Sequence, residues 1–201
     1  MEEVKRNNAL RLKIPVVVEG KYDKCAILGI FSGTVISTDG FGVFNSREKQ
    51  ALIRRISENG IIVLTDSDGG GKQIRAFLSG LIPKERIINL YIPKIEGKER
   101  RKVKRSKEGY LGVEGVGGDV LRSVLLPFTE EGAPIKRGDI KSFDMFTLGL
   151  SGRDDSSRLR DEVCRELALP DGMSAKAACE AFNIIADKEI IENIVKKLTN
   201  F

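Results

Sequence analysis

The residues of this chain that can do chemistry are carboxylates, and two short stretches gather them. Residues 64–75 read LTDSDGGGKQIR, so Asp66 and Asp68 leave the apolar run IIVL and lead straight into Gly69, Gly70 and Gly71. Residues 14–21 read IPVVVEGK, so Glu19 likewise follows a β-branched run and precedes a glycine. Two like charges that close repel each other, and consecutive glycines cost backbone entropy on folding. If the two apolar runs are neighbouring strands of a parallel sheet, Glu19, Asp66 and Asp68 meet just beyond the strands' carboxyl ends, where open α/β sheets collect functional groups. Three carboxylates there are unfavourable unless a cation joins them. A hard divalent ion such as magnesium suits that donor set, since it often takes only one or two carboxylates and leaves its other positions to water and phosphate oxygens.

The flanking residues suit a phosphate. Gly20, Gly69, Gly70 and Gly71 permit close backbone approach, and a helix beginning near Lys72 aims unpaired amides at an anion. Lys21, Lys72 and Arg75 add positive charge. Each piece has a plainer alternative. A D-x-D pair is commonly an exposed turn or a helix cap, Arg75 alone reads as a surface helix residue, and Cys25 and Tyr22 as packing residues. The joint pattern, both acidic motifs directly after β-branched runs and in this order, favours a metal that holds the aspartates together and glycines that admit a nucleic-acid backbone.

Charge and composition point the same way. The 201-residue chain carries a formal charge of +5. Between Lys94 and Lys107 stand Lys94, Lys98, Arg100, Arg101, Lys102, Lys104, Arg105 and Lys107 against Glu96 and Glu99, so this segment holds the excess. That is the footprint of a polyanion binder, the alternative being a solvated loop. The chain has no histidine, which removes histidine-dependent nucleophilic pairs and metal sites. Cys25, Cys164 and Cys179 form no C-x-x-C arrangement and read as reduced and mostly packed. The charged first fifteen residues and the lack of any long apolar stretch argue against a signal peptide or membrane span and for a cytoplasmic protein.

Elements that position the carboxylates follow from the pattern. IPVVV (14–18), TVIS (34–37), IIVLT (61–65) and RIINLYI (86–92) read as strands of a parallel sheet covered on both faces by intervening helices. Those helices are expected over 22–30, from a cap at Asn45 to Asn59-Gly60, and over 72–80. This α/β domain spans 1–126. Gly132, Pro134 and Gly138 mark a linker over 127–138. Helical spacing of Leu159, Val163 and Leu167, then of Ile190, Ile191, Ile194, Val195 and Leu198, places a small helical domain at 139–201.

VVVEGKYD (16–23) and LTDSDGGGKQIR resemble the two motifs of the Toprim domain, shared by topoisomerases, bacterial primases, some nucleases and recombination mediators. Within that class the chain is similar to the ribonuclease M-five family, which matures precursor 5S ribosomal RNA: YIPK (91–94) and GVEG (112–115) look like its later Toprim segments. LGLSGRDDSSRLRDEVCRELAL (148–169) and the helices after it look like its C-terminal domain. The resemblance implies a Toprim-type parallel sheet flanked by helices, followed by a small α-helical domain that binds RNA or protein. It implies an endoribonuclease in which Asp66 and Asp68 bind magnesium, Glu19 is the general acid or base, and Glu114 is a further ligand. It implies as partners a structured RNA, the 5S ribosomal RNA precursor, and the ribosomal protein bound to it. Lys98, Arg100, Arg101, Lys102, Lys104, Arg105 and Lys107 would then grip A-form RNA through its phosphates. The chain departs from the family in carrying Lys72 where glutamate is usual, Gly115 where histidine is common, and a longer basic loop. The rival classes are a non-catalytic Toprim clamp and a primase-like protein of DNA replication or recombination; neither the four-cysteine zinc motif typical of the former nor a zinc ribbon typical of the latter is present.

Overall fold

The computed structural model describes residues 9–97, 110–132 and 138–199. Its centre is a sheet of strands β2 (Val16–Val18), β4 (Val35–Ser37), β5 (Ile61–Leu64) and β6 (Ile87–Leu90), ordered β4-β2-β5-β6 and parallel throughout. Val16, Val17, Val18 and all four residues of β5 are completely buried. That follows from a sheet with helices on both faces: its central strands have no solvent side, so they read as unbroken apolar runs. Val17, Ile61 and Val63 share one face with Ile53, Ile74 and Leu78. Val16, Val18, Ile62 and Leu64 alternate to the other face. Two short strands missed in the sequence, β1 (Leu10–Arg11) and β3 (Phe31–Ser32), pair beside this sheet.

The helices of this unit are α1 (Lys21–Leu28), α2 (Arg47–Ile56), α3 (Gly69–Leu81) and α4 (Gly118–Leu125). Ser46 rather than Asn45 caps α2, its hydroxyl accepting the Lys49 N–H at 3.2 Å. Gly60 at φ 102° ends the following turn. Helix α3 starts three residues before the expected Lys72, because Asp68 caps it by accepting the Gly71 N–H at 2.9 Å. A side-chain cap is worth about 1 kcal/mol, enough to offset the low helix propensity of a leading glycine.

The first unit extends past the expected boundary at 126. Thr129 pairs with Leu12 in an antiparallel bridge, Phe128 O accepts from Lys13 N and Glu130 N donates to Arg11 O, both at 2.9 Å. The chain divides into compact units Met1–Pro134 and Ile135–Phe201. The second holds α5 (Ser142–Thr147), α6 (Ser156–Glu166), α7 (Ala175–Ile185) and α8 (Lys188–Thr199). Val163, Cys164, Ala178, Phe182, Ile191 and Val195 form its interior, whereas Ile190 lies on the outer side of α8. Among the described residues no helix is long and apolar enough to cross a membrane.

Arg75 corrects an expectation. It is buried, 8% exposed, and its guanidinium donates to Val63 O and Thr65 O at 3.0 Å, Asn89 Oδ1 at 3.0 Å and Leu90 O at 2.7 Å, while lying 4.2 Å from the Tyr91 ring centre. Its donors join the ends of β5 and β6 and are turned away from any phosphate outside. Burial pulls its pKa down to about 10, which leaves it charged at neutral pH. We expect Arg75→Met to lower stability in urea titration by about 3 kcal/mol or more, because the carbonyls of Val63, Thr65 and Leu90 lose their buried donor.

Candidate active site

The β2–β5 pairing sets the site. Val18 stands opposite Leu64, so the chain leaves the sheet at Glu19 and Thr65 side by side. The Glu19 carbonyl accepts the Thr38 hydroxyl at 3.0 Å and the Gly40 N–H at 2.9 Å, which ties the loop after β4 to it. A Cβ added at Gly70 would lie 3.4 Å from Asp68 Oδ1, 3.7 Å from Glu19 Oε1 and 3.9 Å from Phe41 Cζ. The structure thus brings Glu19 and Asp68 together around Gly70. Gly71 is required for another reason: a Cβ there would collide with Asp66 O and fall 2.8 Å from Thr65 Oγ1. It lets the helix start press against the strand end, and the anion at that helix start is Asp68 itself. Of the three glycines, Gly69 alone faces open space.

Asp66 belongs to a different group. Its Oδ1 accepts the Val113 N–H at 2.9 Å, and a Cβ at Gly112 would collide with its carboxylate oxygens. The 112–114 segment is closed against this carboxylate. Asp23, in the first turn of α1, accepts the Gly20 N–H at 2.9 Å and a backbone N–H from Glu114. It is nearly buried, 9% exposed. Burial, reinforced by the charges of Asp66 and Glu114, raises its pKa to about 6. Sequence reasoning passed over Asp23, although an acid at the third position of a helix was a visible capping signal.

Of the expected ligands, Glu19 and Asp68 converge on one point at Gly70, and Asp66 accepts from the 112–114 segment. Among the described residues no three acidic or cysteine side chains come together as a ready metal cluster. What fits magnesium is the smaller set of hard oxygens on Glu19 and Asp68, consistent with an ion that needs only one or two carboxylates.

Lys21 and Lys72 are exposed at the starts of α1 and α3, where the sequence placed them. Lys98, Arg100, Arg101, Lys102, Lys104, Arg105 and Lys107 lie outside the described residues. The two ends of that basic segment are stitched together. Glu96 pairs antiparallel with Tyr110, Leu111 N donates to Ile95 O at 2.8 Å, and Lys94 Nζ sits 4.9 Å from the Tyr110 ring centre. Its root adjoins in sequence the 112–114 segment that closes on Asp66. Cys25, expected to pack, is exposed.

No family model matches the chain. Curated proteins are similar to it over most of its length. A protein of Fusobacterium nucleatum subsp. nucleatum named Ribonuclease M5 is 27% identical over 162 residues, 79% of this chain and 81% of that protein. The protein of the same name from Clostridium acetobutylicum is 29% identical over 187 residues, 92% and 93% of the two chains. That from Lactococcus lactis subsp. lactis is 25% identical over 205 residues, 90% and 94%. Over that span the chain is similar to proteins named Ribonuclease M5. Matches of that length cannot be confined to the sheet unit, so the likeness includes the helical unit as well.

Asp23 gives this chain a measurable signature. Its pKa rises on folding from 3.8 to about 6, so the folded chain binds more protons than the unfolded chain between those values, and stability falls as pH rises through that window. We expect Asp23→Asn, which keeps an oxygen for the Gly20 N–H, to flatten this slope. In urea titrations with EDTA present, its stability relative to the unsubstituted protein should rise by up to about 3 kcal/mol between pH 4 and 7.

Proposed function

We propose that this chain is a magnesium-dependent endoribonuclease acting on a structured RNA, the 5S ribosomal RNA precursor being the substrate the family likeness suggests. The observation that carries this is the meeting of Glu19 and Asp68 at Gly70, beyond the carboxyl ends of two adjacent parallel strands. Glu19 and Asp68 would hold the ion, which when bound supplies charge neutralisation at a phosphoryl group and alignment of the attacking oxygen. Glu19, fixed by two hydrogen bonds to its carbonyl, takes a proton from water or gives one to the leaving oxygen. Asp66 positions the 112–114 segment through Val113. The basic segment rooted at 95–97 and 110–111 grips the phosphates of A-form RNA, with Lys21 and Lys72 adding to the local positive charge. The helical unit binds the precursor or the ribosomal protein that accompanies it.

Asp68 allows a clean test because it both caps α3 and sits at the proposed ion. Asparagine caps a helix as well as aspartate does, and alanine does not. With end-labelled 5S precursor, we expect defined cuts in magnesium and none in EDTA. Asp68→Asn should abolish cleavage with the melting temperature unchanged, whereas Asp68→Ala should also lose about 1 kcal/mol of stability. Glu19→Gln should lower kcat by about a hundredfold to ten-thousandfold. Full activity of Asp68→Asn, or cleavage indifferent to EDTA, overturns the proposal. Binding without any cut would move the chain to the clamp class.

A further inference from the structure

The peptide group between Glu19 and Gly20 is gripped at both of its polar ends. Its carbonyl, Glu19 O, accepts the Thr38 hydroxyl at 3.0 Å and the Gly40 N–H at 2.9 Å. Its N–H, on Gly20, donates to Asp23 Oδ2 at 2.9 Å. The grip falls where the backbone is softest, because Gly20 directly follows Glu19 and glycine leaves the chain more freedom than any other residue.

Thr38 is completely buried. It follows β4 directly, and its own N–H donates to Val18 O at 2.9 Å, so it continues the pairing of β4 with β2. The next two residues turn the chain back toward Glu19. Asp39 stands at φ 55° and Gly40 at φ 60°, a left-handed turn that glycine adopts freely and aspartate more readily than most residues. The Ser37 hydroxyl and the Lys49 ammonium hold the Asp39 carboxylate. The Gly40 N–H alone would satisfy Glu19 O, since a buried acceptor needs one partner. The Thr38 hydroxyl is the second donor that the two lone pairs of a carbonyl allow, and with both in place the peptide group has a fixed direction.

We propose that Thr38 is a positioning residue for Glu19: its hydroxyl fixes the peptide group that follows Glu19, and with it the direction of the carboxylate toward the reacting bond. This rests on the ribonuclease reading above. Thr38 has no exposed surface with which to meet RNA, so its influence passes through Glu19 and the turn that joins them. Proton transfer demands a group within hydrogen-bond reach of its proton, and a misplacement of about 1 Å can cost about a hundredfold in rate. The grip on the RNA backbone, assigned above to the basic segment and the exposed Lys21 and Lys72, is untouched by such a shift. Loss of the hydroxyl therefore lowers kcat and leaves KM as it is.

With the full chain and end-labelled 5S precursor in magnesium, we expect Thr38→Val, which keeps the shape and removes the hydroxyl, to lower kcat about tenfold at unchanged KM. Thr38→Ser, which keeps the hydroxyl and removes the methyl group, should restore kcat although it carries the packing loss. Should the valine variant fail to fold, Thr38→Ala against Thr38→Ser makes the same comparison, since those two differ only in the hydroxyl. In the Glu19→Gln background Thr38→Val should slow cleavage no further, because residues that act through one group are not additive. Unchanged kcat without the hydroxyl, a serine variant as slow as the valine or alanine one, or the same loss persisting in the Glu19→Gln background overturns the positioning role and leaves the nuclease standing. Full activity of Glu19→Gln removes the group that Thr38 is said to position, and an unsubstituted protein that makes no cut takes the ribonuclease reading as well; either result overturns this inference.

Discussion

One register governs the molecule: Val18 opposite Leu64 in adjacent parallel strands. Parallel pairing sends both chains off the same edge of the sheet, so the residues that follow have to share space whatever their charge. A slip by one residue would exchange the faces to which Val16–Val18 project and carry Glu19 away from Asp68. The apolar faces on both sides of the sheet hold the pairing, since every residue of Val16–Val18 and Ile61–Leu64 is out of water. The core thus fixes the position of the site before any polar contact is counted.

The like charges of the D-x-D stretch are compensated by the backbone, and an ion is not required for that. Asp66 accepts the Val113 N–H and Asp68 the Gly71 N–H, and hydrogen bonds to the charged form favour it. The two side chains diverge, one toward the 112–114 segment and one toward Glu19. Arg75 supports the same turn from below through Thr65 O. Under the proposed function, the need for a cation arises at Glu19 and Asp68.

Much of this was legible in the sequence, in particular places. The buried strands were plain because a central parallel strand has no polar side to interrupt it. The adjacency of Glu19 and Asp68 needed only the assumption that the first and third apolar runs are neighbours. What the sequence hid depends on contacts distant along the chain. Arg75 on a helix looks like a surface residue until Asn89 and Leu90 are brought to it. The two-residue strands Leu10–Arg11 and Phe31–Ser32 are too short to show a period, and the pairing of Thr129 with Leu12, which moves the domain boundary, leaves no local trace. Asp68 as cap and Asp68 as ligand have the same spelling; the structure shows the cap, and the ligand role belongs to the proposed function.

A polyanion has to approach this edge against Glu19, Asp68, Asp66, Asp23 and Glu114. Two features ease that approach under the proposed function. Burial first, and then the charges of Asp66 and Glu114, raises the pKa of Asp23 to about 6 and so reduces the negative charge at this edge below that pH. The cationic excess of the chain is concentrated between Lys94 and Lys107, in a segment whose root leads directly into the residues that close on Asp66. Exposed charges act over about 10 Å at 0.1 M salt, so cations on that segment can attract phosphates without having to reach the reacting bond. Carrying the gripping cations and the reacting carboxylates on different stretches of chain divides the work between them. Under the proposed function the basic segment would gather backbone of any sequence, and the sheet edge would decide which phosphodiester is presented. Specificity for one bond then has to come from geometry at Gly70, where two carboxylates and a ring surround a single point.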